Sequence, residues 1–130
     1  MRAAYNEIMK YGLSAQEAGM KLLQYDKGEE TIIVLEGELS GVDGARLTAR
    51  VDGLVLADGP AWERIVIDLT RVSFIESTAL GSLIYCHKVV ERIGKHFALR
   101  AKPEHAFMLF RGCPLEKVLT VIDPSFPAGV

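Results

Sequence analysis

Apolar positions along the chain fall into two rhythms, one of period two and one near 3.6. "MKLLQYD" and "TIIVLEGEL" are rich in apolar and β-forming residues, and "DKGEE", Asp26 to Glu30, separates them with turn chemistry. They read as two strands joined in a hairpin. The second is almost continuously apolar from Ile32 to Leu35, the pattern of a strand buried on both faces. Next, Leu47, Val51, Leu54 and Val55 repeat at helical spacing. Asp43 is the expected N-cap, because its carboxylate accepts from free N–H groups of the first turn. "ADGP", Ala57 to Pro60, is the expected stop.

A second strand–helix unit follows. "ERIVIDLTRVSFI" contains a central buried strand, and a helix is expected from about Ser77 to Arg92 with Leu80, Leu83, Ile84, His87 and Val90 near one face. "HFALRA" is a short strand. "PEHAFMLFRG" opens with Pro at a helix N1 position and stops at Gly112, and "EKVLTVID" supplies a last strand. The order β-β-α-β-α-β-α-β predicts a single α/β domain. Its sheet is mixed and mostly parallel, with four to five strands packed with α-helices and an antiparallel pair from the opening hairpin. Residues 20–123 form the domain. Residues 1–19 are an N-terminal extension in which Tyr5, Ile8, Met9 and Gly12 lie near helical spacing, and residues 124–130 are an irregular tail.

Composition narrows the class. The chain has 130 residues, 49% hydrophobic and 25% charged, the balance of a globular domain. A net charge of -2 lacks the basic footprint of a nucleic-acid binder. No stretch approaches the roughly 20 apolar residues of a membrane span, and the N-terminus lacks the apolar run of a signal peptide. A cytoplasmic protein without membrane insertion is expected. Cys86 and Cys113 are widely spaced and read as free thiols.

Catalytic chemistry is hard to assemble. Neither GxGxxG after a strand nor GxxxxGK[ST] occurs, so the phosphate-binding motifs of a nucleotide enzyme are missing. His87, His96 and His105 are not at metal-ligand spacing, and Cys86 beside His87 points away from it on a helix. Glu36 and Glu38 read as a solvated strand edge. The expectation is a non-enzyme without metal or cofactor.

The junction "VSFIESTALGSLI", Val72 to Ile84, carries the remaining signal. Ser77 sits where a strand becomes a helix. Read alone it is a helix cap, worth about 1 kcal/mol, and Ser73 with Glu76 offers a capping box as another structural reading. The same position also suits a switch. A phosphate there adds about −1.5 to −2 charge beside Glu76 and repels a partner that fits the neutral hydroxyl.

"VIDLTRVSFIESTALGSLI" resembles the signature of STAS-domain anti-sigma factor antagonists, through Asp68, Leu69, Val72, Ser73, Phe74, Ser77, Thr78, Leu80 and Gly81. "LEGELS", Leu35 to Ser40, resembles the family's Gly-Glu-Leu-Asp segment. The resemblance implies a bacterial regulator of transcription that acts by partner switching. Ser77 would be phosphorylated by a serine-kinase anti-sigma factor, which the unphosphorylated form binds, and a PP2C-type phosphatase would restore binding. The implied contact surface is Glu38, Ser40, Glu76, Ser77, Thr78, Ala79 and Gly81. Three positions depart from the family pattern: Glu76 for Asp, Ala79 for Gly and Ser40 for Asp. The alternative is a non-switching STAS scaffold or partner subunit, stressosome-like or associated with a lipid-transport ATPase. A homodimer stays open.

Overall fold

The computed structural model describes residues 20–57 and 61–122. The extension 1–19, the residues 124–130 and the end of the "ADGP" stop lie outside them. Strands β1 (Met20–Lys27) and β2 (Glu30–Leu39) form the expected hairpin. Gly28 closes its turn at φ 62, a left-handed conformation that glycine adopts without steric cost. Helix α1 (Gly41–Leu56) leads to β3 (Arg64–Ile75), and α2 (Ala79–Arg92) leads to β4 (His96–Ala101). A third helical segment and the short strand β5 (Leu119–Val121) complete the chain. The sheet order is β1-β2-β3-β4-β5, antiparallel at the first pair and parallel at the other three. Both the α/β class and the mixed sheet match the expectation.

Alternation explains the layers. Ile33, Leu35, Ile65, Ile67 and Leu99 point to one face, where they pack with Leu47 and Val51 of α1 and Leu83, Cys86 and Val90 of α2. Phe110 and Leu115 join the same core. Ile32, Val34, Val66 and Leu23 point to the other face and form a second, smaller cluster made of strand residues. The unbroken apolar run of β2 therefore serves both faces.

Several boundaries differ from expectation. The N-cap of α1 is Ser40, not Asp43, which stands at N3 as the other half of a capping box. Helix α2 starts at Ala79, with Ser77 and Thr78 in a turn. The third helix, α3, is a single turn, Pro103–His105, that widens into a π-turn at Ala106–Phe110. Gly112, at φ 76, follows its end. A 3-10 turn at Pro114–Val118 takes up the first three residues of the expected last strand, leaving Leu119–Val121 for β5.

Candidate functional site

The parallel strands β2 and β3 end side by side, and their exits bring the two sequence motifs together. Register shifts between Val34 and Glu36, and between Gly37 and Glu38, skew the end of the pair. Gly37 takes φ 104 there, which a side chain would strain. Leu39 then stands beside Ile75, so Ser40 and Glu76 leave the sheet as neighbours.

Ser40 is committed to its own helix. Its Oγ accepts from the Asp43 N–H (3.1 Å) and donates to Asp43 Oδ2 (2.8 Å). Asp43 is buried and also holds Arg46 (3.1 Å), which donates to the Met20 carbonyl (3.1 Å) at the start of β1. The buried carboxylate is thus paired and hydrogen-bonded, as burial requires.

Glu76 ties the junction to this helix. Its backbone N–H donates to the Leu39 carbonyl (2.9 Å), and its Oε1 accepts from the Gly41 N–H (2.9 Å). A carboxylate at the amino end of α1 satisfies a free donor and favours the helix dipole. The close fit continues beside it. A Cβ on Gly41 would lie 3.0 Å from Thr78 Oγ1. A Cβ on Gly44 would collide with Ser82 Oγ and lie 2.9 Å from Ser82 Cβ, so the two helices touch where glycine removes a side chain. Gly44 therefore serves helix–helix contact.

Ser77 is placed differently from a cap. It is exposed, and among the described residues its hydroxyl makes no hydrogen bond. Its carbonyl accepts the Leu80 N–H (3.1 Å), while the Glu76 carbonyl accepts the Ala79 N–H (2.9 Å). The N-cap of α2 is Thr78, in a helical conformation and without a side-chain cap bond. The capping-box reading of Ser73 with Glu76 also fails. Ser73 Oγ donates to the Gly37 carbonyl (3.2 Å) and Glu76 bonds Gly41.

Of the remaining positions, Glu38, Thr78 and Gly81 are exposed and Ser40 is half-buried. Ala79 is fully buried, so its methyl packs inside and is withdrawn from any contact surface. Val42 (76% exposed) and Phe74 (56% exposed) are apolar neighbours of these segments that the implied contact surface leaves out. Phe74 stands next to Ile75, whose side chain is buried in the core, and so points away from it.

The other candidate chemistry is accounted for structurally. Burial pushes the Cys86 thiol up to about 12, with the Asp52 charge adding to it, so Cys86 is no nucleophile at neutral pH. His87 packs on Phe97 with ring centroids 5.5 Å apart, and its Nε2 lies 2.8 Å from Glu91 Oε2. Glu36 pairs with Arg71 (2.9 Å). Among the described residues no group of three His, Cys, Asp or Glu converges on a metal-sized space, and no helix is long and apolar enough to cross a membrane. An open depression of about 530 Å³, lined by Glu29, Glu30, Glu63, Arg64 and His96, lies at the opposite end of the sheet from Ser77.

Fold and site together define a small α/β domain with an exposed hydroxyl turn at the carboxyl end of its parallel strands. The sequence profile of the STAS domain matches residues 23–126, and the chain belongs to that family. Three solved structures share the fold. The anti-sigma factor antagonist SpoIIAA in its unphosphorylated form is 18% identical, with a TM-score of 0.66 over 80% of this chain and 90% of that one. The Bacillus cell fate determinant SpoIIAA in its phosphorylated form is 17% identical, with a TM-score of 0.63 over 80% and 93%. An anti-sigma factor antagonist from Mycobacterium paratuberculosis is 23% identical, with a TM-score of 0.65 over 81% and 86%.

Proposed function

We propose that this STAS domain is a cytoplasmic anti-sigma factor antagonist, switched off by phosphorylation of Ser77. Its unphosphorylated form binds a serine-kinase anti-sigma factor through the Ser77 turn and the start of α1, with Glu38, Ser40, Glu76, Thr78 and Gly81 around the hydroxyl. Binding frees a sigma factor, and a PP2C-type phosphatase resets the switch. The observation that carries this reading is the Ser77 hydroxyl, exposed and without a hydrogen bond among the described residues. A kinase can reach it, and phosphate there removes no bond from the fold. The added charge, about −1.5 to −2, stands next to the Glu76 carboxylate and repels a partner surface shaped for a neutral turn.

Phosphopeptide mass spectrometry of Val72–His87, from cells before and after stress, tests the switch. Occupancy at Ser77 that changes with conditions is the expected result. In parallel, Ser77→Ala should retain binding to an anti-sigma kinase and refuse phosphate, whereas Ser77→Asp should lose binding with an unchanged thermal melt. Full peptide coverage with no phosphate in any condition, together with normal binding by Ser77→Asp, would leave the non-switching scaffold as the reading.

A further inference from the structure

Two apolar side chains at the candidate site do nothing for the inside of the domain. Val42 is 76% exposed and Phe74 56%, and neither belongs to either buried cluster. Val42 is the second residue of α1, where its β-branched side chain is a poor helix former. A polar residue would serve that exposed first turn better. Phe74 stands at the end of β3, opposite Glu38 in the register with β2. Glu38 is exposed as well, and its carboxylate joins no ion pair among the described residues.

Both flank the hydroxyl turn. Val42 follows Gly41, whose N–H donates to Glu76 Oε1 (2.9 Å) and which packs against Thr78, since a Cβ there would lie 3.0 Å from Thr78 Oγ1. Phe74 precedes Glu76 and Ser77 on the strand exit. Helix α1 covers the core face of the sheet, and Phe74 points away from that face. Val42 therefore stands on one side of the Ser77 turn and Phe74 on the other. A standard protein contact covers about 800 Å² of each partner, enough to take in both. Such contacts set apolar and aromatic residues at the centre and polar ones around them.

We propose that Val42 and Phe74 are the apolar anchors of the contact with the anti-sigma factor, an inference that rests on the function proposed above. The partner presents an apolar depression to each, astride the place where the Ser77 turn enters, and sets a cation toward Glu38. Affinity then comes from the flanks, and a phosphate between them keeps both from seating. A second copy of this chain fits worse. A two-fold contact through this patch brings the same surface from both sides, setting Glu38 and Glu76 against their own copies.

Titration calorimetry of the full chain against each serine-kinase anti-sigma factor of the source organism tests the anchors, with a non-hydrolysable ATP analogue so that Ser77 stays unmodified. Val42→Ser and Phe74→Ser should each weaken binding at least about tenfold, with unchanged thermal melts. Leu56→Ser removes an equally exposed apolar side chain from the other end of α1 and should bind like wild type. If Phe74→Ser melts early, Val42→Thr, which keeps the branched shape and adds a hydroxyl, carries the test. Glu38→Gln should slow association at low salt and flatten its salt dependence. If Ser77→Asp loses a kinase that both serine variants bind like wild type, the anchors are refuted and the switch stands. Equal weakening by Leu56→Ser also refutes them. If no kinase binds the wild type, the switch itself falls and the anchors with it. A dimer in ultracentrifugation that Val42→Ser dissolves, with kinase affinity unchanged, gives the surface to a second copy and overturns the proposal.

Discussion

Replacing Gly44 by alanine isolates the contact that holds the two helices of the site together. Gly44 is helical and buried, and its conformation suits any L-residue, so backbone strain does not enter. The added methyl would sit 2.9 Å from Ser82 Cβ and in collision with Ser82 Oγ, while its distance to Ala79 Cα, 3.7 Å, is ordinary. The Ser82 hydroxyl can rotate away. Its Cβ cannot, because it is fixed to the backbone of α2. Carbon atoms prefer about 3.5 to 4.0 Å, so α1 and α2 must part by more than half an ångström or tilt. Overpacking of this kind costs about 1 to 3 kcal/mol. Alanine in a helix returns about 1 kcal/mol relative to glycine. The net loss is ~0 to 2 kcal/mol, too variable for one variant to decide.

A double-mutant cycle removes the ambiguity. Ser82→Gly deletes both atoms that the new methyl meets. In that background Gly44→Ala should stabilise the domain by up to about 1 kcal/mol, its helix-propensity gain alone. The coupling between the two sites is then ~1 to 3 kcal/mol, read from urea midpoints of the four proteins at a common slope. If Gly44→Ala stabilises equally in both backgrounds, the close approach of α1 and α2 is refuted, and with it the coupling of the Ser40 and Ser77 segments through packed helices.

Further tests address single bonds and groups. Ser40→Ala breaks the capping box and leaves buried Asp43 short of two contacts, so a loss of about 1 to 2 kcal/mol in urea unfolding is expected. Glu76→Ala removes the acceptor of the Gly41 N–H. It should cost ~0.5 to 1.5 kcal/mol and speed Gly41 amide exchange without slowing refolding of the core. Cys86 is buried with its thiol pushed up to about 12, whereas Cys113 is half-buried. A thiol reagent at pH 8 should titrate one thiol in the native protein and both in denaturant. His105 is buried, which lowers its pKa below 6.5, and the Lys102 charge lowers it further. The unfolded chain then binds that proton more readily than the folded one. Stability should be highest above pH 6.5 and fall as the pH drops below it, a slope that His105→Gln flattens in denaturant titrations.

What was legible in the chain follows from the range of the forces involved. Strands β1 to β4 and both long helices are written as local apolar rhythms, and each folds where its rhythm lies. The cap of α1 sits at Ser40 instead of Asp43, and the reason such a pair misleads is local. Ser40 and Asp43 each satisfy the other's backbone N–H, so a hydroxyl and a carboxylate three residues apart both look like caps. Only the point where the strand ends assigns the roles. The α2 start was misread because a serine at a strand–helix junction looks like a cap, whereas here the turn is held by Glu76 reaching another helix. The role of Gly44 depends on a contact between segments distant in sequence. A motif can mark such positions as unusual, but no periodicity shows what stands opposite them.

Ser40 and Ser77 differ in what a phosphate would cost. Ser40 Oγ donates to the carboxylate of buried Asp43 (2.8 Å) and caps α1 by accepting the Asp43 N–H (3.1 Å). A phosphate on Ser40 would lose the cap and set two anions against each other at a poorly solvated position. At Ser77 the bonds and packing described at the turn are those of the Ser77 and Glu76 carbonyls, the Glu76 N–H and side chain, and the packed methyl of Ala79. Glu76, one methylene longer than aspartate, bonds the Gly41 N–H from across the junction. The anchoring work is thereby moved off the hydroxyl. A group that carries none of the fold can change charge without changing shape, which is the physical requirement for a switch read by a partner instead of by the fold.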